Sequence, residues 1–352
     1  MVNCLKERED MKKELKLGEP ILKCYQKGRF MTMMLSQNKN TLPWIFYNNM
    51  QICCHKLNER GEPFVIDLCN AVAPFITKEW DACPYIHDNS FSIERIKEKY
   101  NCVVDYLIDC INHKEYVHFC LNTSYVKAYN YPTNKMHDIF ISGYDTDISV
   151  FVAYDFYSGN YERRLVPFAE IEQAILHIDE CDDIGDYANG IHSFSLQDCY
   201  QFSYYGADDI NVYNIVQKMF EILNPSYSEP RNMIIVRKEG NKINSFGLKV
   251  YDEYIGYLKS GVVKDNESKF DYRPFYVIKD HLQIINSSIE FFNMPFKKEI
   301  EELLKISINL ATVALKMSVT RREIDKEYLC DILQQIKGKE EMLLNNIIKY
   351  YK

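Results

Sequence analysis

The chain has 352 residues, enough for two domains of ordinary size, and 47% of them are apolar, which excludes wholesale disorder. Its formal net charge of -8 comes with no basic cluster of useful length. Lys12-Lys13 and Arg321-Arg322 are flanked by acids and read as solvated helix faces, so no nucleic-acid partner is expected.

The first ten residues lack the apolar run of a secretory signal. No stretch reaches the ~20 apolar residues needed to cross a bilayer; residues 306–317 come nearest but carry Ser307, Asn309 and Lys316. A cytoplasmic protein with no membrane partner is expected, with its 12 cysteines reduced. No paired CxxC motif appears, so neither a metal nor any other cofactor is expected.

In chain order, the first twenty residues are charged and helix-prone until Gly18-Glu19-Pro20 breaks them. Residues 23–35 read as a helix with Phe30, Met31, Met33, Met34 and Leu35 on its apolar faces. Residues 44–57 read as a second apolar helix. Residues 91–113 carry a helical stripe from Ile93 to Ile111, as one helix or two, with Ser92 as its N-cap.

The pattern then becomes β-rich. Residues 116–121, 139–142 and 150–154 are predicted strands, the last two joined as a hairpin by turn chemistry at Gly143-Tyr-Asp-Thr-Asp147. Residues 161–166 return as another strand, and 168–176 form a closing helix. Helices followed by an antiparallel sheet indicate an α+β domain ending near residue 178. The remainder, 179–352, reads as mainly helical, with helices near 210–223, 246–258, 275–292, 297–316 and 323–351 after a β-prone stretch at 191–202.

Chemistry concentrates on the predicted hairpin. His137 opens one strand and Asp155 ends the next, so both side chains are expected at the same end of the sheet. There Asp155 would accept from one imidazole nitrogen and leave the other for a nucleophile. Cys24 is the expected third member, because it starts a predicted helix, where the dipole favours a thiolate.

Each of these residues also has a plainer reading. Cys24 would be a packed core thiol, His137 a hydrogen-bonded strand histidine, and Asp155 a cap for the turn at Ser158 and Gly159. Cys53 and Cys54 are rival nucleophiles. Asp145 and Asp147 read as turn formers rather than a metal pair, and Cys83 with His87 lacks a second ligand pair. Tyr154, Tyr157 and Tyr161 read as strand packing, with an aromatic acyl pocket as the alternative.

The segment His137-Asp-Ile-Phe-Ile-Ser-Gly143-Tyr144-Asp145, followed by Val-Ala-Tyr-Asp155-Phe, resembles the His/Asp hairpin of papain-like proteins of the C39 and butirosin-biosynthesis-H types. Leu22-Lys-Cys24-Tyr-Gln, Pro43-Trp-Ile-Phe-Tyr-Asn-Asn-Met-Gln51 and the closing Phe168-Ala-Glu-Ile-Glu-Gln-Ala174 resemble a branch found beside thiotemplated (nonribosomal) peptide assembly lines. The resemblance covers roughly residues 20–178.

It implies a papain-like domain over 1–178, with a helical second part, 179–352, covering or completing the site. It also implies a Cys24–His137–Asp155 triad that takes an acyl or peptidyl group from a carrier-protein thioester and passes it to a small amine. Hydrolysis by a peptidase or amidase of the same architecture, and a non-catalytic binding protein, are the alternatives. In one respect the chain departs from the pattern. The Gln that commonly precedes the Cys as an oxyanion donor is replaced by Gly18, Glu19 and Pro20. Gln26 follows Cys24, Gln37 and Gln51 lie further along the chain, and the backbone N–H of Cys24 is a further candidate, so the sequence assigns no oxyanion donor.

Overall fold

The structure, a computed structural model, describes residues 11–56, 64–69, 83–129, 134–157, 160–182, 190–197, 210–224, 243–260, 271–320 and 325–352. It is mixed α and β with antiparallel sheets. Two compact units are present. The first comprises 1–18, 33–37 and 83–202; the second comprises 19–32, 38–82 and 203–352. The chain therefore does not divide at residue 178. The segment with Cys24 belongs to the second unit, and strand-forming residues after 178 belong to the first.

The first unit is built on a sheet of β4 (Ile86–Phe91), β9 (Ile191–Leu196), β5 (Tyr116–Asn122), β6 (Met136–Asp145), β7 (Val150–Tyr157) and β8 (Asn160–Pro167), in that order. A short β1 (Lys12–Glu14) pairs with β6 beyond the end of β5. The strands alternate. Val117, Phe119 and Leu121 of β5 share a core with Ile139 and Ile141 of β6, and with Leu107 and Ile111 of α4 (Val103–Asn112) and Ile171 and Ile175 of α5 (Phe168–Leu176). The stripe at 91–113 resolves into α3 (Ile93–Lys99) and α4, and the Ser92 hydroxyl accepts from the Arg95 N–H as expected of an N-cap.

Three expectations are corrected here. Lys12–Glu14 is a strand rather than helix, held because Gly143 has no side chain: a Cβ there would lie 2.4 Å from the Lys13 carbonyl. Gly143 to Asp145 therefore lies inside β6, and the turn proper is 146–149, with Ser149 at φ 54. Strands β4 and β9 extend the same sheet, although β4 was not foreseen and β9 was assigned to the second part of the chain.

The second unit gathers the first seven residues of α1 (Gln26–Leu35), α2 (Leu42–Asn49), α6 (Val212–Leu223), α7 (Lys249–Lys259), α8 (Arg273–Phe291), α9 (Lys297–Thr320) and α10 (Lys326–Tyr351) with a three-stranded sheet. That sheet runs β10 (Ile243–Phe246), β2 (Gln51–Lys56), β3 (Phe64–Cys69). Its core joins Ile52 and Ile66 to Ile215, Tyr251, Ile278, Ile285, Leu310 and Leu344. The expected helix over 44–57 ends at Asn49, and Gln51 starts a strand.

By length and composition α9 is apolar enough to cross a membrane, with 28% of its apolar window buried, contrary to the expectation that no stretch qualifies. It buries Leu303, Leu310 and Ala314 against its own unit.

Candidate active site

His137 and Asp155 come together in the first unit. Phe140 pairs with Tyr154, so Asp155 stands opposite Ile139, two residues along the same face from His137. His137 Nδ1 lies 2.9 Å from Asp155 Oδ2, and the carboxylate is fully buried while 41% of the imidazole is exposed. Asp155 Oδ1 accepts the N–H of Phe156 at 2.6 Å. The contact fixes the proton on Nδ1, so Nε2 is the nitrogen left to act. It has no hydrogen bond among the described residues.

A third donor was not foreseen. The buried Tyr129 hydroxyl donates to the same Asp155 Oδ2. Tyr129 ends the second of two short turns after β5. The first is tied by the Asn122 side chain, which accepts the Ser124 N–H. The second is tied by Arg164, whose guanidinium donates to the Ala128 carbonyl at 3.0 Å, and by Glu170, which accepts the N–H of Lys127. Arg164 also lies over the Tyr157 ring, which packs on Tyr129. Tyr157 is thus a wall behind the carboxylate. Tyr154 packs between Phe140 and Tyr161 on the sheet.

The electrostatics follow from this packing. Burial lowers the His137 imidazole, but the Asp155 hydrogen bond and charge outweigh it and raise its pKa to about 9. Burial also pushes the Asp155 carboxyl above its ordinary value, against the pull of His137, Tyr129 and the Phe156 N–H. The pair keeps one proton at neutral pH, and the hydrogen bonding of the carboxylate puts that proton on the imidazole.

Cys24 lies in the second unit, two residues before α1 rather than inside it. Its N–H donates to Asp280 Oδ2 at 2.7 Å, as does the N–H of Lys23. Its partly exposed thiol donates to the Arg273 carbonyl at 3.6 Å. Burial, then Asp280, then Asp67 push the thiol well above the ordinary range, while Lys279 and Arg273 pull it down. The expectation that a helix N-terminus lowers this thiol is therefore corrected. The nearest carboxylate takes the N–H groups and opposes a thiolate.

The rival thiols are packed ones. Cys53 and Cys54 sit fully buried on β2 rather than on a helix, Cys54 beside the Ser245 hydroxyl and Cys53 toward the Asp67 carbonyl. Of the candidate oxyanion donors, Gln37 and the Cys24 N–H are engaged. Gln37 belongs to the first unit and donates to the Met34 carbonyl and the Tyr116 hydroxyl. Gln51 accepts from Ile52, and Gln26 is buried at the start of α1.

Asp145 accepts the Asp147 N–H, which is turn chemistry. The alternative cap for Asp155 at Ser158 and Gly159 lies outside the described residues. Among the described residues no three His, Cys, Asp or Glu side chains are grouped to hold a metal ion. Compared with known proteins, the chain matches no protein-family model and has no significant match to a curated protein.

Proposed function

We propose that the protein is a papain-like, cysteine-dependent acyltransferase, in which Cys24 carries the acyl group and His137, oriented by Asp155, moves the proton. The observation that supports this reading is the His137–Asp155 pair: a buried carboxylate fixes Nδ1, while Nε2 belongs to a half-exposed ring with no described partner. An imidazolium at neutral pH is the form that stabilises a thiolate.

In the proposed reaction Cys24 Sγ bonds to the acyl carbon of a carrier-protein thioester. The carrier sulfur leaves with the proton that Sγ gave up through His137. An amine then attacks, its proton passes to His137, and the C–S bond breaks to return the Cys24 thiol. One thioester and one amine become one amide and one thiol, with no change of oxidation state. The site of action would be the cytoplasm, and the partners a carrier protein and a small amine.

Product analysis with an acyl thioester, with and without an amine, tests the reading. Amide in proportion to amine supports transfer, whereas free acid at a rate indifferent to amine supports a peptidase or amidase. A second reading, a binding protein without catalysis, is favoured by the Asp280 carboxylate on the Cys24 N–H and by the thiol held protonated. It would leave Cys24 unacylated by any donor.

A further inference from the structure

Asp280 is 1% exposed on α8, yet its strongest contacts leave that helix. Its Oδ2 receives two consecutive backbone N–H groups, from Lys23 and Cys24, across 256 residues of sequence. Its Oδ1 lies 3.1 Å from Lys279 Nζ. An acyl group on Cys24 would develop negative charge on its carbonyl oxygen as the amine attacks, and the nearest built-in donor for that oxygen is the N–H of Cys24 itself. That donor is already bound to a carboxylate.

We propose that Asp280 is a latch on Cys24: its carboxylate occupies the N–H groups an acyl oxyanion needs, so Cys24 takes up an acyl group only after Asp280 has left them. This rests on the acyl-transfer reading above. The charged surroundings agree with it. Around the thiol, α8 contributes the cations Arg273 and Lys279 together with Asp280 and Tyr276, β3 contributes Asp67, and Tyr25 adjoins it in sequence. Arg273 is itself held by Asp271 through Nε and Nη2 at 2.9 Å. The cations favour a thiolate, and the latch carboxylate is the largest single charge opposing it.

The test is the alkylation rate of Cys24 by iodoacetamide across neutral to alkaline pH, resolved by peptide mass mapping, in the intact protein, in Asp280→Asn, which removes the charge, in Asp280→Ala, which also removes the acceptor of the two N–H groups, and in Asp67→Asn. Asp280→Asn is expected to speed Cys24 at neutral pH by about tenfold or more, the equivalent of one pKa unit, with the pH midpoint moved down. Asp67→Asn removes a neighbouring charge but leaves the N–H groups on Asp280, so it should give a smaller gain. Cys53, Cys54 and Cys330, buried in the same unit, should keep their rates.

An unchanged Cys24 in Asp280→Asn would overturn the latch. So would an Asp67→Asn effect as large, or acceleration of all four cysteines together, which would report a loosened fold. The same proteins incubated with an acyl thioester separate the two ideas. No acylation in any variant would sink acyl transfer, and the latch with it. Equal acylation of Cys24 with and without the Asp280 carboxylate would sink the latch alone and leave acyl transfer standing.

Discussion

His137 and His281 each lie 2.9 Å from the oxygen of a fully buried carboxylate, one in each unit. In the second unit, His281 has no exposed surface, and both its nitrogens are used: Nδ1 donates to the Met50 carbonyl at 2.7 Å and Nε2 meets Glu340 Oε1. The Tyr251 hydroxyl donates to the other Glu340 oxygen at 2.6 Å. Since a carbonyl only accepts, Nδ1 is the donor there. The network joins α7, α8 and α10 to the end of α2 and has nothing left to offer a substrate. His137 uses one nitrogen, and the other has no hydrogen bond among the described residues, in a side chain that is partly exposed. What separates a structural pair from one able to move a proton is the unengaged nitrogen and its exposure, since the distances are the same.

The largest effect is expected in the second unit. Glu340→Ala leaves His281 buried without its partner, and losing one member of a buried pair costs about 3–5 kcal/mol. Urea denaturation should show a correspondingly lower midpoint, and a change under about 1 kcal/mol would mean the network is not structural.

In the first unit the effect is on protonation. Asp155→Asn is expected to lower the His137 pKa from about 9, as burial is then opposed only by the smaller pull of the Asp138 carbonyl and charge, read by histidine proton NMR. The sign for stability follows from a raised histidine. The stabilisation from the pair is fully present below pH 6.5, fades as pH climbs through about 9, and should be missing from Asp155→Asn. A stability–pH profile unchanged by that substitution would contradict the pairing.

The smallest effect belongs to Tyr129→Phe. It removes one hydrogen bond to a charged acceptor, worth about 1.5–3 kcal/mol, and leaves Asp155 with a donor fewer. The pair should then hold its proton more tightly, so His137 titrates at higher pH. A downward shift would mean that Tyr129 chiefly holds the carboxylate in place against His137 rather than drawing on its charge.

What the sequence showed follows the range of the interactions. His137 and Asp155 were legible because a two-residue period and a nearby turn bring them together within one hairpin. Tyr129 was not, since it sits in irregular backbone after β5 and nothing local marks it among 27 tyrosines. The signal for its segment was Asn122 and Ser124, turn formers at the end of a strand. Residues 51–56 read as a continuation of the preceding helix because the apolar residues of 44–54 are interrupted only by Asn48, Asn49 and Gln51, and so short a run has no period to choose by. β4 was missed because its His87-Asp88-Asn89 centre has little strand propensity and is stabilised by pairing with β9. The setting of Cys24 was illegible for the plainest reason. The residue that defines it, Asp280, is 256 positions away.

The most direct test of acyl transfer is the mass of the intact protein after incubation with a simple acyl thioester, followed by peptide mapping. The account predicts one acyl adduct on Cys24, absent in Cys24→Ala and formed more slowly in His137→Ala. An adduct that persists in Cys24→Ala, or no adduct with several donors in either the native protein or Asp280→Asn, would contradict it.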